Sequence, residues 1–253
     1  MDVRGHAAIV TGGGSGLGAA TAKALAAAGA KVAVFDLNMA GAEQVAKEVG
    51  GQAFKCDVSN AAETEAAVAA AKSAHGAARV LVNCAGVATP GRIVGKDGPL
   101  KLDAFRRVVE INLIGTFNAM RLVGADMQAL APLEDGERGV IVSTASVAAF
   151  EGQVGQAAYA SSKGGVAALT LPAAREFARF GVRVLAIAPG LFGTPMLLGM
   201  PKEIQDGLAA SVPYPNRFGK PEEYARLVMH MIGNVMLNGE VVRLDGAIRM
   251  QPR

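Results

Sequence analysis

The chain has 253 residues, 51% of them hydrophobic and 19% charged, with a formal net charge of +3. This is the composition of a folded chain rather than a disordered one, and the length suits one α/β domain with a large core. Basic residues never run four together and no uncharged apolar stretch reaches 18 residues, so neither a nucleic-acid footprint nor a membrane-spanning helix is expected.

The first apolar run, Ala7-Ala8-Ile9-Val10, reads as a strand. Its start within ten residues of Met1 leaves no room for a signal peptide, which points to a cytoplasmic protein. Thr11-Gly12-Gly13-Gly14-Ser15-Gly16-Leu17-Gly18 then leads into a helix predicted from Ala19 to Gly29. Glycine lets the backbone bend sharply and approach a ligand closely. The helix start offers free N–H groups and a positive dipole end to a pyrophosphate. Gly12, Gly16 and Gly18 form G-x-x-x-G-x-G, which differs from the G-x-G-x-x-G dinucleotide fingerprint. The Gly-Lys-Ser/Thr ending of an ATP-binding P-loop is missing. The next strand, Lys31–Phe35, ends at Asp36, 24 residues after Gly12. An acid at that distance suits the ribose hydroxyls of a dinucleotide and repels a 2′-phosphate. Leu37 and Asn38 follow it, and the glycine turn carries no Lys or Arg, so NAD is expected rather than NADP.

Further strands are predicted at Gln52–Cys56, Val80–Asn83, Gly139–Ser143, Arg183–Ala188 and Glu240–Leu244, with helices at Ala61–Ala74 and Ala157–Phe180. Residues 88–102 and 129–138 read as loops, and Gly190–Pro215 as a long interruption rich in Pro, Met and Leu. Apolar strands alternating with helices imply a doubly wound, seven-stranded parallel sheet of Rossmann type, with right-handed crossovers. The whole chain is read as one domain, with the 190–215 stretch as a substrate lid. With strand order 3-2-1-4, Cys56 and Cys84 lie three strand spacings apart, roughly 14 Å, too far for a disulfide. His6, His75 and His230 stand alone, so no metal site is expected.

Tyr159 and Lys163 lie one helical turn apart, and Ser146 precedes Tyr159 by 13 residues. An ammonium one turn away is expected to favour the phenolate and make Tyr159 an acid/base near neutral pH. The Ser146 hydroxyl could hold a substrate oxygen beside the phenol. Ser143 fits the spacing less well.

With these residues in place the chain resembles the short-chain dehydrogenase/reductase family along essentially its whole length. The resemblance rests on Thr11-Gly12…Gly16…Gly18, Asn83-Cys84-Ala85-Gly86, Asn112, Ser146, Tyr159-x-x-x-Lys163 and Pro189-Gly190…Thr194. It implies a Rossmann fold with Tyr159 as general acid/base and Ser146 orienting the reacting oxygen. Lys163 would bind the nicotinamide ribose and lower the Tyr159 pKa, and Asn112 would support a relay water. Around the NAD it implies contacts from Gly12, Ser15, Gly16, Leu17, Gly18, Asp36, Leu37, Asp57, Val58, Asn83, Cys84, Ala85, Gly86, Pro189, Gly190, Phe192 and Thr194. Cys84 departs from the Asn found there in many members. The family also implies a homotetramer, built on the helices near Asn112 and Tyr159 and on the last strand and C-terminal tail. Ala157, Ala160, Ala167 and Ala168 would permit close helix approach.

Residues 145–156, 188–195 and 243–250 are similar to the branch of that family acting on 3-hydroxyacyl-CoA thioesters. That similarity implies oxidation of a (3S)-3-hydroxyacyl-CoA to the 3-oxoacyl-CoA. Gln156 would reach the substrate, and Phe192, Met196, Leu197 and Leu198 would form an apolar wall for the acyl chain. A 3-oxoacyl-carrier-protein reductase and a hydroxysteroid dehydrogenase are the alternatives; Asp36 opposes the first, which usually prefers NADPH. A non-catalytic scaffold on the same fold is opposed by the joint presence of Asn112, Ser146, Tyr159 and Lys163.

Overall fold

The computed structural model describes residues 1–252. Seven parallel strands form one sheet: β1 (Ala7–Thr11), β2 (Lys31–Asp36), β3 (Gln52–Lys55), β4 (Ala78–Asn83), β7 (Gly139–Thr144), β8 (Val182–Pro189) and β9 (Val241–Leu244). Their order is β3-β2-β1-β4-β7-β8-β9. A short antiparallel hairpin, β5 (Val94–Gly95) and β6 (Gly98–Pro99), stands apart. The helices are α1 (Gly16–Ala27), α2 (Met39–Val49), α3 (Ala61–His75), α4 (Leu102–Val109), α5 (Gly115–Gln128), α6 (Ala157–Ala178), α7 (Pro195–Leu198), α8 (Lys202–Ala210) and α9 (Pro221–Gly233).

Every residue of β1, β4, β7 and β8 is buried. The period-two alternation of a strand divides these apolar runs between two cores. Val10, Val82, Val142 and Ile187 join Leu25, Val45, Tyr224 and Met231 on the face covered by α1, α2 and α9. Ile9, Leu81, Ile141 and Val184 join Val68, Val123 and Met127 on the face covered by α3, α5 and α6. Strand order reverses between β1 and β4, so a crevice opens beyond their carboxyl ends.

Several predicted boundaries move. α1 begins at Gly16, which puts Leu17 and Gly18 in its first turn rather than ahead of it. The predicted loop at 88–102 holds the β5–β6 hairpin, and Leu102 already opens α4. The 129–138 loop contains one 3₁₀ turn, Glu134–Gly136. The 190–215 segment is not irregular chain: α7 and α8 lie within it. Residues Glu110–Ile114, between α4 and α5, form a π-helical turn that periodicity did not reveal.

α9 is fastened at its start by Glu223, whose carboxylate takes both Arg217 guanidinium nitrogens, at 2.7 and 2.9 Å, and the Lys220 N–H at 2.7 Å. The Arg217 hydrogen bonds, followed by the Lys220 N–H, lower its pKa from 4.5 to about 2. A depressed carboxylate contributes stability above its unfolded pKa and loses it as pH falls through the folded one. Glu223→Gln is therefore expected to melt below the wild type at pH 7, with the gap closing between pH 4.5 and about 2. For a chain of this size each kcal/mol moves the melting temperature by about 2–4 °C. Circular-dichroism melts across that range are the check; a constant gap rejects the ion pair as its cause.

Candidate active site

The residues singled out in the sequence gather at one edge of the sheet, because the strand register aligns the points where each chain leaves it. Thr11 is level with Phe35 and Asn83, Asn83 with Ser143, and Thr144 with Ile187. The glycine turn, Asp36, Cys84–Gly86, Ser146 and Gly190 all follow directly.

The turn is built for close approach. A Cβ on Gly12, whose φ is +62°, would lie 2.6 Å from the Ala85 nitrogen. One on Gly18 would collide with the Gly12 carbonyl oxygen, so the first and third glycines pack the helix start onto the strand exit. Ser15 caps α1 with no side-chain hydrogen bond, and no acidic residue occupies the first turn. The partial positive charge of this helix end is thus left facing the crevice. Asp36 is locked by backbone donors: Oδ2 accepts from Gly14 N–H at 2.9 Å and Oδ1 from Asn38 N–H at 2.8 Å. Leu37 beside it is exposed. Asp57 folds back to accept from Ser59 N–H and Oγ, while Val58 is buried and packs under Gly115. Pro189 ends β8, and Gly190 packs against Asp245. Thr194 lies over the turn, 3.4 Å from where a Gly16 Cβ would stand.

On the other side of the crevice, Ser146 precedes a 3₁₀ turn (Val147–Ala149) and accepts from Ala148 N–H at 3.1 Å. Its hydroxyl also faces Tyr159, whose pKa it acts to lower. Ser143 is turned away, accepting from Asn83 Nδ2 inside the sheet at 3.2 Å. Lys163 is buried, and its Nζ donates to the Thr144 carbonyl at 2.6 Å while lying 6.0 Å from the Tyr159 ring centre. Gly86 fits between Asn112 and Lys163: a Cβ there would stand 3.1 Å from Asn112 Oδ1 and 3.4 Å from Lys163 Nζ.

Four expectations change. Tyr159 does not have a lowered pKa: burial raises it, with the Ser146 hydrogen bond opposing. Burial likewise lowers Lys163 to about 8, with Cys84 opposing. Asn112 spends its amide on protein, with Oδ1 accepting from Val87 N–H (2.8 Å) and Nδ2 donating to Val87 O and Ser162 Oγ (both 2.9 Å). Its carbonyl accepts from Thr116 Oγ1 at 2.7 Å. Asn112 therefore ties the Cys84–Val87 segment to α6 and has little left for a relay water. Gln156 turns onto Gln153, with its Oε1 accepting from Gln153 N–H at 3.1 Å, rather than toward a substrate. Phe192 is a core residue, 5% exposed and edge-on to Tyr224 at 6.4 Å, so its side chain is not part of an acyl wall. Met196 and Leu198 are exposed on α7 and Leu197 is half-buried, which leaves these three as the apolar face of the segment.

Sequence reasoning missed the partners that hold the site: Gly14 for Asp36, Ser162 for Asn112, and Thr144 for Lys163. It missed Tyr224 as well, whose signal was a lone tyrosine among the aliphatic positions of α9. Both cysteines are free, as expected. Among the described residues no His/Cys/Asp/Glu group could hold a metal, and no helix is long and apolar enough to cross a membrane.

A strand–glycine turn–helix beside a Ser-Tyr-Lys constellation defines a Rossmann-type dehydrogenase site, and the chain belongs to the short chain dehydrogenase family, whose model matches residues 6–204. It is an oxidoreductase of that family. Among its relatives, the 3-hydroxyacyl-CoA dehydrogenase type-2 of Homo sapiens is 50% identical, with 99% of this chain and 97% of the relative covered. The protein of that name from Drosophila melanogaster is 48% identical over 99% of this chain and 100% of its own. The crystal structure of 3-hydroxyacyl-CoA dehydrogenase type-2 from Mycobacterium avium superposes with a TM-score of 0.92 at 40% identity, covering 98% of both chains.

Proposed function

We propose that the protein is an NAD-dependent dehydrogenase that oxidises the alcohol of (3S)-3-hydroxyacyl-CoA thioesters to the 3-oxo product, in fatty acid metabolism. The observation that carries the chemistry is the placement of Ser146, Tyr159 and Lys163 across one crevice from a glycine turn that no larger residue could form. Whole-length identity to the relatives named above supports the substrate class.

The residues present fit the nucleotide. The Gly12–Gly18 cradle, the free helix start behind Ser15 and the fixed carboxylate of Asp36 match a pyrophosphate and an unphosphorylated ribose. Gly12, Ser15, Gly16, Leu17 and Gly18 would hold the phosphates, and Asp36 and Leu37 the adenosine ribose. Asp57 and Val58 would flank the adenine. Asn83, Cys84, Ala85, Gly86, Tyr159, Lys163, Pro189, Gly190 and Thr194 would surround the nicotinamide end. When bound, the oxidised nicotinamide supplies a hydride acceptor and a positive charge. The protein's own part is proton transfer. Tyr159 takes the alcohol proton as C3 gives up hydride, Ser146 donates to the reacting oxygen, and Lys163 stabilises the phenolate. Asn112 anchors the Cys84–Val87 segment that shapes this end.

A panel of 3-hydroxyacyl-CoAs, hydroxysteroids and a carrier-protein thioester, assayed with NAD and NADP, tests the reading. Fastest turnover of an acyl-CoA with NAD is expected; preference for the carrier-protein substrate with NADPH would select the reductase instead.

α7 is the proposed lid, with Met196, Leu197 and Leu198 toward the acyl chain. Each buried CH₂ is worth about 0.8 kcal/mol. Leu197→Ala is expected to raise KM for short acyl-CoAs several-fold, with less effect on KM for NAD. A lower melting temperature with unchanged acyl KM would make α7 a packing element.

Assembly as a homotetramer belongs to the same proposal. Ile114 at the end of the π-turn, Phe117 on α5 and Leu171 on α6 are 45–49% exposed, apolar side chains that, with the exposed Ala168, a second copy would cover. Light scattering is expected to give four 25.8 kDa subunits at micromolar concentration. Monomer alone would contradict it. The two unpaired thiols accord with a reducing, cytoplasmic location.

A further inference from the structure

Behind the crevice lies a buried polar chain that proton transfer does not itself use. Tyr224, on α9, is fully buried. Its hydroxyl lies 2.7 Å from Thr144 Oγ1 and 3.8 Å from Cys84 Sγ. Thr144 Oγ1 also lies 2.6 Å from the Asn83 carbonyl oxygen. The two oxygen–oxygen contacts have one proton arrangement. A carbonyl oxygen only accepts, so Thr144 spends its single proton on Asn83. Tyr224 must then donate to Thr144, and the Cys84 thiol, 3.6 Å from Thr144 Oγ1, is left to donate to either hydroxyl. The order is Tyr224 O–H to Thr144, Thr144 O–H to Asn83.

The chain ends on the residue that holds the lysine, because Thr144 gives its carbonyl to Lys163 Nζ at 2.6 Å. Thr144 thus faces two ways at the end of β7: its side chain is pinned by α9 and β4, and its carbonyl faces α6. A buried network of this kind rigidifies when every member is satisfied. Tyr224 also packs against Phe192, two residues before Thr194, so its ring is held from the lid side.

We propose that Tyr224 is a positioning residue for the dehydrogenase reaction, acting through Thr144 to hold the carbonyl on which the Lys163 ammonium rests. The inference rests on the role given to Lys163 above. Tyr224 touches no reacting atom; it sets where the lysine's charge lies and how firmly the charged form is kept. The groups facing Lys163 are the Thr144 carbonyl, Tyr159, Cys84 and Asn112, and Tyr224 acts on the first of these.

Tyr224→Phe keeps the ring and removes the donor. With NAD and the best acyl-CoA of the panel, kcat is expected to fall at least fivefold with acyl KM changed less than twofold. The alkaline limb of the kcat profile, where Lys163 loses its proton, moves down by half a pH unit or more. In the nucleotide-free protein, ¹⁵N NMR of the Lys163 ammonium, assigned by its loss in Lys163→Met, follows the same shift. Thr144→Val reproduces these changes and Thr144→Ser restores the wild-type profile, which keeps the test open if Tyr224→Phe folds poorly. A packing role would lower the melting temperature and leave kcat and both titrations in place, and that result overturns the proposal. So does a shift in Tyr224→Phe that Thr144→Val does not share. Tyr159→Phe is assayed in parallel. If it retains kcat the dehydrogenase mechanism fails, whereas its loss beside an unaltered Tyr224→Phe removes this inference alone.

Discussion

Replacing Tyr159 with phenylalanine is expected to lower kcat by about 10²–10⁴-fold, the usual worth of a positioned acid/base, while NADH still binds. The ring stays in place and only the hydroxyl is lost, so the crevice keeps its shape. No neighbour can substitute. Ser146 holds the Ala148 N–H, and the role proposed for its hydroxyl is to donate to the reacting oxygen. Lys163 is turned onto the Thr144 carbonyl. Burial raises the Tyr159 pKa in the protein alone, with Ser146 opposing, so once Ser146 turns to the reacting oxygen the phenolate has to be favoured by charge brought in when the site fills. Oxidation should therefore accelerate with rising pH until Lys163, itself at about 8, begins to lose its proton. Steady-state kinetics with a parallel NADH fluorescence titration separates chemistry from binding. More than half of wild-type kcat in the variant would reject the assignment.

What could be read from the chain was what depends on local spacing. The strand-turn-helix of Gly12 to Gly18, the acid at Asp36 and the Tyr159–Lys163 turn are all set by a few consecutive residues, and the structure brings them to one edge. The seven-strand alternation was legible for the same reason, since strands covered on both faces are continuous apolar runs. What escaped were effects of packing between distant segments. The π-turn at Asn112 is held by bonds to Val87 and Ser162, 25 and 50 residues away. The Tyr224 hydroxyl meets Thr144 across 80 residues. Phe192 looked like a lid residue because its neighbours are apolar and mobile-looking, yet the Tyr224 ring draws it into the core. Gln156 found a partner three residues away, in Gln153, before any substrate could use it. The direction of the Tyr159 shift depended on burial, and i, i+4 spacing does not report burial.

Asp36 is expected to set coenzyme choice, and Asp36→Ala with Leu37→Arg to shift the ratio of kcat/KM for NADP over NAD by two orders of magnitude or more. Asp36 is not a free loop acid. Gly14 N–H and Asn38 N–H hold both of its oxygens, and a Cβ on Gly14 would stand 2.9 Å from Oδ2. The carboxylate therefore cannot swing away to admit a 2′-phosphate. Two negative charges about 4 Å apart repel by about 4 kcal/mol at an effective dielectric near 20. Every 1.4 kcal/mol is about tenfold in affinity, so exclusion of NADP by a hundred- to a thousandfold needs no other device. The double substitution removes that repulsion and supplies a guanidinium at the exposed position 37, where there is room for it. It also frees the Gly14 and Asn38 N–H groups, which can then donate to the added phosphate. Kinetics with both coenzymes decides the matter. Wild type preferring NADPH would refute the claim outright, and a variant that loses NAD without gaining NADP would show that Asp36 serves to hold the glycine turn rather than to choose between the two.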